Sequence, residues 1–293
     1  MFYMAKRAIK CIFTLCLLMK TVITSTDKSF LNISELKRYG GLFKYLSLRD
    51  VFVRYKQTKV GFAWSIIRPI INVAIFGCLS YLVDRDGSFA DKFIMVSAGI
   101  VFWQLISTAL TDVSNALTAN ANILTKVYFP KLILPASSLF VCIIDFLIAL
   151  AIFMIVFVVF KGLPPWQIVF LPLVVLYGIL FSFSVGLFFA TASVKYRDVK
   201  FILPFAIQIL FYASPVFLRS DFILKLNLPE IIKTIYQLNP LVYILNAFKY
   251  CFYGQFDNFN LAFAIGSIVI TVLLFVFSVR YFLNFEKSFA DYI

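Results

Sequence analysis

The chain has 293 residues, of which 62% are hydrophobic and only 14% charged. Soluble domains carry about 25% charged residues, so this composition excludes a water-soluble globular protein and implies a chain covered by lipid. The net charge of +13 is no sign of nucleic-acid binding: residues 6–59 hold twelve basic and three acidic side chains, the bias expected on the cytoplasmic side of a membrane entry.

The apolar runs are continuous and about twenty residues long. They predict transmembrane helices, not the alternating ten-residue segments of a β-barrel. The predicted fold class is all-α integral membrane. Histidine is absent, which excludes Ser-His-Asp catalysis and histidine-bearing zinc motifs. The five cysteines have no metal-ligand spacing and imply no disulfide framework.

In chain order, residues 1–41 read as a cytoplasmic N-terminal extension. Lys6, Arg7 and Lys10 precede a short apolar run that Lys20 closes before it can span. Met19 is an alternative start. After Gly40 and Gly41, residues 42–60 predict an interfacial amphipathic helix. Leu42, Tyr45, Leu46, Leu48, Phe52, Val53 and Tyr55 share one broad face, interrupted by Arg49 and Lys56. At a lipid surface the stems of those two residues would lie flat and their charges would meet headgroups. Trp64 falls where an amphipathic ring prefers the headgroup boundary, and Arg49, Arg54, Lys56 and Lys59 mark the cytoplasmic side of entry.

Residues 61–293 form a six-helix transmembrane domain in this reading. The spans are predicted at residues 62–83, 93–116, 135–160, 167–194, 201–218 and 261–283. The connectors 118–134 and 195–200 are basic, hence cytoplasmic, and six spans place both termini there as well. Residues 84–92 and 161–166 are outer turns. Residues 219–260 are too apolar for a solvated loop and predict short helices dipping into the outer leaflet.

Two chemical signals stand out. No Gly-x-x-x-x-Gly-Lys-Ser/Thr loop is present, so the chain shows no ATP site of its own. Asp145 lies inside the third predicted span, where a carboxylate costs several kcal/mol unless paired, protonated or hydrated. It either faces a translocation path or ties two helices together, or it is a protonated structural carboxyl. Arg68 lies at a different depth and is not expected to pair with it.

Arg54-Tyr55-Lys56-Gln57-Thr58, followed by Gly61, Trp64 and Pro69, resembles the entry segment of permease subunits of ATP-binding-cassette exporters of polysaccharide: O-antigen, capsule and teichoic acid. The likeness recurs at residues 120–135, at 195–204 and at Asn239-Pro240, and so runs from about residue 45 to the C-terminus. It implies a permease that moves lipid-linked polysaccharide across the bacterial cytoplasmic membrane, with two re-entrant helices forming an outer gate. Two copies would make the pore, and ATP-Mg would sit on separate ATPase subunits, with no cofactor on this chain. The entry residues would be Arg49, Asp50, Arg54, Tyr55, Lys56, Gly61 and Trp64.

Asn120, Asn122, Lys126, Val127, Tyr128, Phe129, Pro130 and Lys131 would form the coupling helix that fits a groove in the ATPase. Val127, Tyr128 and Phe129 would be its apolar anchor, and Lys126 and Lys131 would pair with acids on the motor. Arg197 and Asp198 mark the second cytoplasmic loop. Trp103, Phe211, Tyr212 and Phe217 lie near the outer ends of spans. With Asp145 they are channel candidates, because rings offer flat apolar area to sugar C–H faces. Each aromatic also fits an ordinary interfacial belt. The alternative cargo is a lipid, drug or other small amphiphile. An enzyme of the membrane-embedded glycan or acyl transferase class is disfavoured by the missing histidines and by the lack of clustered carboxylates near a loop.

Overall fold

One long helix collects most of the packing. In the computed structural model, which describes residues 38–56, 66–67, 69–75, 78, 89–124, 126–127, 129–196, 198–216, 229–256, 260–286 and 289, the elements are helical throughout. They are α1 (Gly40–Lys56), α2 (Phe89–Ala119), α3 (Ala121–Leu124), α4 (Ile133–Lys161), a 3-10 turn (Trp166–Phe170), α5 (Leu171–Lys195), α6 (Val199–Tyr212), α7 (Glu230–Leu238), α8 (Pro240–Tyr253) and α9 (Leu261–Glu286). All described residues lie within one unit, Ser34–Ile293.

Among the described residues, four helices are long and apolar enough to cross a membrane: α2, α4, the 3-10 turn with α5, and α9. They extend the predicted spans at 93–116, 135–160, 167–194 and 261–283 by a few residues. α2 is the centre, with 72% of its apolar window buried against 22% for α4, 28% for α5 and 22% for α9. The outward faces of the other three are apolar because lipid, not water, is their solvent. The predicted first span is described only at residues 66–67, 69–75 and 78, which are helical. The predicted fifth begins with α6, whose 14 residues rise about 21 Å, short of a hydrocarbon core of about 30 Å. Residues 217–228 lie outside the described part, as do 1–37 and 57–60.

α2 packs on α4 and α5, and α9 closes on α5. Close approach of α2 and α5 depends on two glycines. A Cβ on Gly178 would stand 2.7 Å from the Phe102 ring, and one on Gly186 would stand 2.8 Å from Val113. Hydroxyls along these helices donate to carbonyls one turn back, as Thr108 does to Gln104 at 2.7 Å. In a membrane that leaves few polar atoms unmet.

α8 is short and deeply buried, as Leu241, Ile244, Leu245, Phe248 and Cys251 are all 0% exposed. Its limits are written in its sequence. Asn239 accepts from the Leu241 N–H at 3.1 Å and Pro240 fills the first turn, which starts the helix. Gly254, at φ 68°, ends it in the left-handed region. Phe248 stacks on Phe102 with centroids 4.3 Å apart, and Phe252 meets Phe153 edge-on at 4.9 Å. α8 is thereby fastened to α2 and α4.

Contacts between helix ends define two sides of the bundle. On one, Lys195 at the end of α5 lies 5.6 Å from the Phe285 ring, and Lys131 meets Glu286. On the other, Asp91 near the start of α2 takes the Lys161 ammonium, and its carbonyl accepts from the Tyr253 hydroxyl at 3.0 Å.

Candidate functional site

α1 packs along α4, with Leu46 and Ser47 buried and Tyr45, Leu48, Phe52 and Val53 exposed. The apolar residues of α1 are thus divided between a protein contact at Leu46 and an outward aspect at Tyr45, Leu48, Phe52 and Val53. Arg49 departs from expectation, because it does not reach outward to headgroups, and Arg54 behaves in the same way. Both turn into the protein, where carboxylates and an amide on other helices offer better acceptors than solvent-facing lipid groups. The side chain of Lys56, together with Gly61 and Trp64, lies outside the described residues.

The inward arginines make two anchors. Arg54 donates through Nη1 to Asp145 Oδ2 and through Nη2 to Asp112 Oδ2, each at 2.6 Å. The Tyr55 hydroxyl donates to Asp145 Oδ1. The Cys142 thiol donates to Asp112 Oδ2 at 3.3 Å. One guanidinium thus joins α1, α2 and α4. Seven residues beyond Asp112 α2 ends, and there Arg49 Nη2 donates to Asn120 Oδ1 and to its neighbour Asp50, both at 2.7 Å. The Asn120 amide donates in turn to the Ala116 carbonyl at 2.9 Å.

Both Asp145 oxygens are engaged, Oδ2 by Arg54 and Oδ1 by Tyr55. Burial opposes the Arg54 charge, but Asp112 and then Asp145 outweigh it and hold the guanidinium above its ordinary value. A planar fork suits two carboxylates from two directions, which a point-like ammonium does not. Beside this anchor a cavity of about 10 Å³ is lined by Gln104, Thr108 and Asp145 among others, which is about the least volume that holds one water.

The connector 120–131 is a short hook. Asn122, Lys126 and Val127 are exposed, Val127 at 57%. Leu124 and Phe129 are pegs, 6% and 4% exposed. Phe129 is therefore core, not part of an apolar anchor offered to a partner, and Tyr128 lies outside the described residues. Lys131 also differs from expectation. Its backbone N–H donates to Glu286 Oε1 at 2.9 Å and its Nζ to the Glu286 carbonyl at 2.6 Å, with the Phe289 ring 5.3 Å away. Pro130, partly buried, precedes that clasp and removes a backbone donor. In the second connector Asp198 is exposed at the start of α6, and Arg197 is outside the described residues.

The aromatic candidates divide. Trp103, 8% exposed, meets Phe211 edge-on at 5.5 Å, and Phe211 meets Tyr212 at 5.3 Å. Tyr212 is 73% exposed. These three form a line from core to surface. Asp145 stands apart from them, held by α1, and Phe217 lies outside the described residues. Sequence reasoning missed Asp112 and Glu286. The signal for Asp112 was available: a second acid in an apolar stretch, with two arginines and a tyrosine entering the same membrane.

Known proteins give the wider context. The ABC-2 type transporter family matches residues 41–253. The O-antigen export system permease protein RfbA of Myxococcus xanthus is 26% identical over 221 residues, covering 75% of this chain and 84% of the relative. Its namesake in Klebsiella pneumoniae is 26% identical over 250 residues, covering 82% and 93%. A second Klebsiella pneumoniae protein of that name matches to the same extent. The match spans α1 to α8, and with the long apolar helices it identifies the chain as a multi-pass membrane protein belonging to the ABC-2 type transporter family.

Proposed function

We propose that the chain is the membrane-spanning permease subunit of an ATP-driven exporter. Its cargo is lipid-linked polysaccharide of the O-antigen, capsule or teichoic-acid type, moved across the bacterial cytoplasmic membrane. The observation that carries this reading is the extent of the likeness: export permeases named for O-antigen align over most of both chains. In this reading ATP-Mg sits on a separate nucleotide-binding subunit and this chain binds no cofactor, in keeping with a sequence that lacks a phosphate loop.

In this reading residues 1–41 are a cytoplasmic extension, 42–60 the interfacial segment and 61–293 the permease domain. Residues 62–83 and 201–218 complete six spans, which puts both termini in the cytoplasm. α7 and α8 are the re-entrant outer helices; the cap at Asn239 and the stop at Gly254 suit segments too short to span. Two copies form the pore. The hook 120–131 docks on the motor through Asn122, Lys126 and Val127.

Deletion of the gene in its host tests the reading. Lipid-linked glycan should build up in the cytoplasmic leaflet and vanish from the surface, and the intact gene should restore it. Unchanged surface glycan would overturn the proposal. Topology has its own check: in a cysteine-free background, an impermeant maleimide applied to intact cells should label a cysteine at position 86 but not at position 126 or 197.

A further inference from the structure

The two anchors of α1 fall where such a machine has motion to pass on. Arg49 holds Asn120, at the head of the hook. Arg54 holds Asp112 and Asp145, one from each of two long helices. Along α2 the anchor points Asn120 and Asp112 are about 12 Å apart, and along α1 they are about 7.5 Å apart. As α1 advances from Arg49 to Arg54, its partners at the end of α2 run backwards, so α1, packed on α4, braces α2 through two arginine side chains.

We infer that Arg54 is a positioning residue for transport: through it, a displacement of the hook received by α1 at Arg49 reaches α2 and α4 together. The inference rests on the proposed docking of residues 120–131. Its physical basis is the shared cation. Asp112 and Asp145 come within reach of one guanidinium, so they attract through it and repel each other once it leaves. A joint with a bridged and a split form is the two-state element that coupling between distant sites requires. Tyr55 keeps α1 on Asp145 through its uncharged hydroxyl, so the split form is not a detached helix.

The test uses the full permease with its cognate ATPase in proteoliposomes, with lipid-linked glycan in the membrane. Three quantities are read: permease recovered with ATPase, ATP hydrolysed, and glycan moved per ATP. The deciding variant is the neutral triple Arg54→Gln, Asp112→Asn, Asp145→Asn, which leaves no buried charge unpaired and keeps hydrogen bonds available. The expected result is normal recovery and hydrolysis, with glycan moved per ATP falling about tenfold. Arg54→Lys should fall between, since an ammonium holds one carboxylate at a time. Wild-type yield per ATP in the triple variant overturns the inference. So does parallel loss of recovery, hydrolysis and transport in both variants, which marks a purely structural role. If the wild-type complex itself moves no glycan, the fault lies with the proposed function and not with Arg54.

Discussion

The two sides of the bundle bury positive charge in different ways. Beside the hook, one guanidinium joins two carboxylates that lie 58 and 91 residues from it in sequence. On the Asp91 side, Lys249 of α8 is 4% exposed and gives its ammonium to the Pro215 carbonyl at 2.5 Å. The first arrangement ties three helices through an arginine shared by two acidic side chains. The second fastens a backbone turn against α8, where α2 also comes close: a Cβ on Gly99 would stand 2.4 Å from the Val216 carbonyl oxygen. A paired charge can be exchanged between partners. A capped turn in tight contact has one arrangement. The contrast separates a joint suited to movement from one suited to staying fixed.

Asp145→Leu strains this contrast most. Arg54 loses half its partners and Tyr55 loses its acceptor. Breaking a buried pair costs about 3–5 kcal/mol. The side chains here are 35% and 18% exposed, so a loss of about 2–3 kcal/mol is expected in unfolding of the detergent-purified protein. Asp145→Asn should lose roughly half as much, because the amide oxygen still accepts. An unchanged midpoint for Asp145→Leu would remove the energetic basis of the joint.

Lys249→Met comes next. The Pro215 carbonyl loses its donor, while the cost of burying an ammonium disappears with it. A net loss of about 1–2 kcal/mol follows, with faster amide exchange at residues 213–216 and none at Asn120. Faster exchange at both places would mean that the two sides are one joint.

Lys161→Ala should cost less than about 1 kcal/mol, since its pair with Asp91 is 34% and 49% exposed. Lys126→Ala should leave stability within about 0.5 kcal/mol of wild type. Its effect should appear only as weaker capture of the ATPase at raised salt, measured by co-purification.

Much of the fold was legible in the sequence because lipid imposes long apolar runs and caps are local. The four long helices and both ends of α8 follow from runs, Asn239-Pro240 and Gly254. The site was less legible. Asp145 announced itself as expensive, but its partner lies far away in the chain, and no local pattern links the two. Periodicity placed Arg49 and Arg54 on a helix without distinguishing a lipid-facing from a protein-facing aspect, because both are apolar. Phe129 was misread for a related reason: a buried ring and a docking ring look alike in a connector. Its truncation would act through the fold before it acted on any partner.

The bridge at Arg54 also orders the birth of the protein. Asp145 follows Arg54 by 91 residues, so at ordinary rates of synthesis roughly 5–20 s separate the two on the ribosome. During that interval Arg54 waits first for Asp112, 58 residues on, and then for Asp145, and the membrane insertion machinery holds an unfinished product. Closure must wait for α4 to arrive. A nascent chain stalled before residue 145 should therefore leave α1 open to protease, and one stalled after α4 has emerged should protect it.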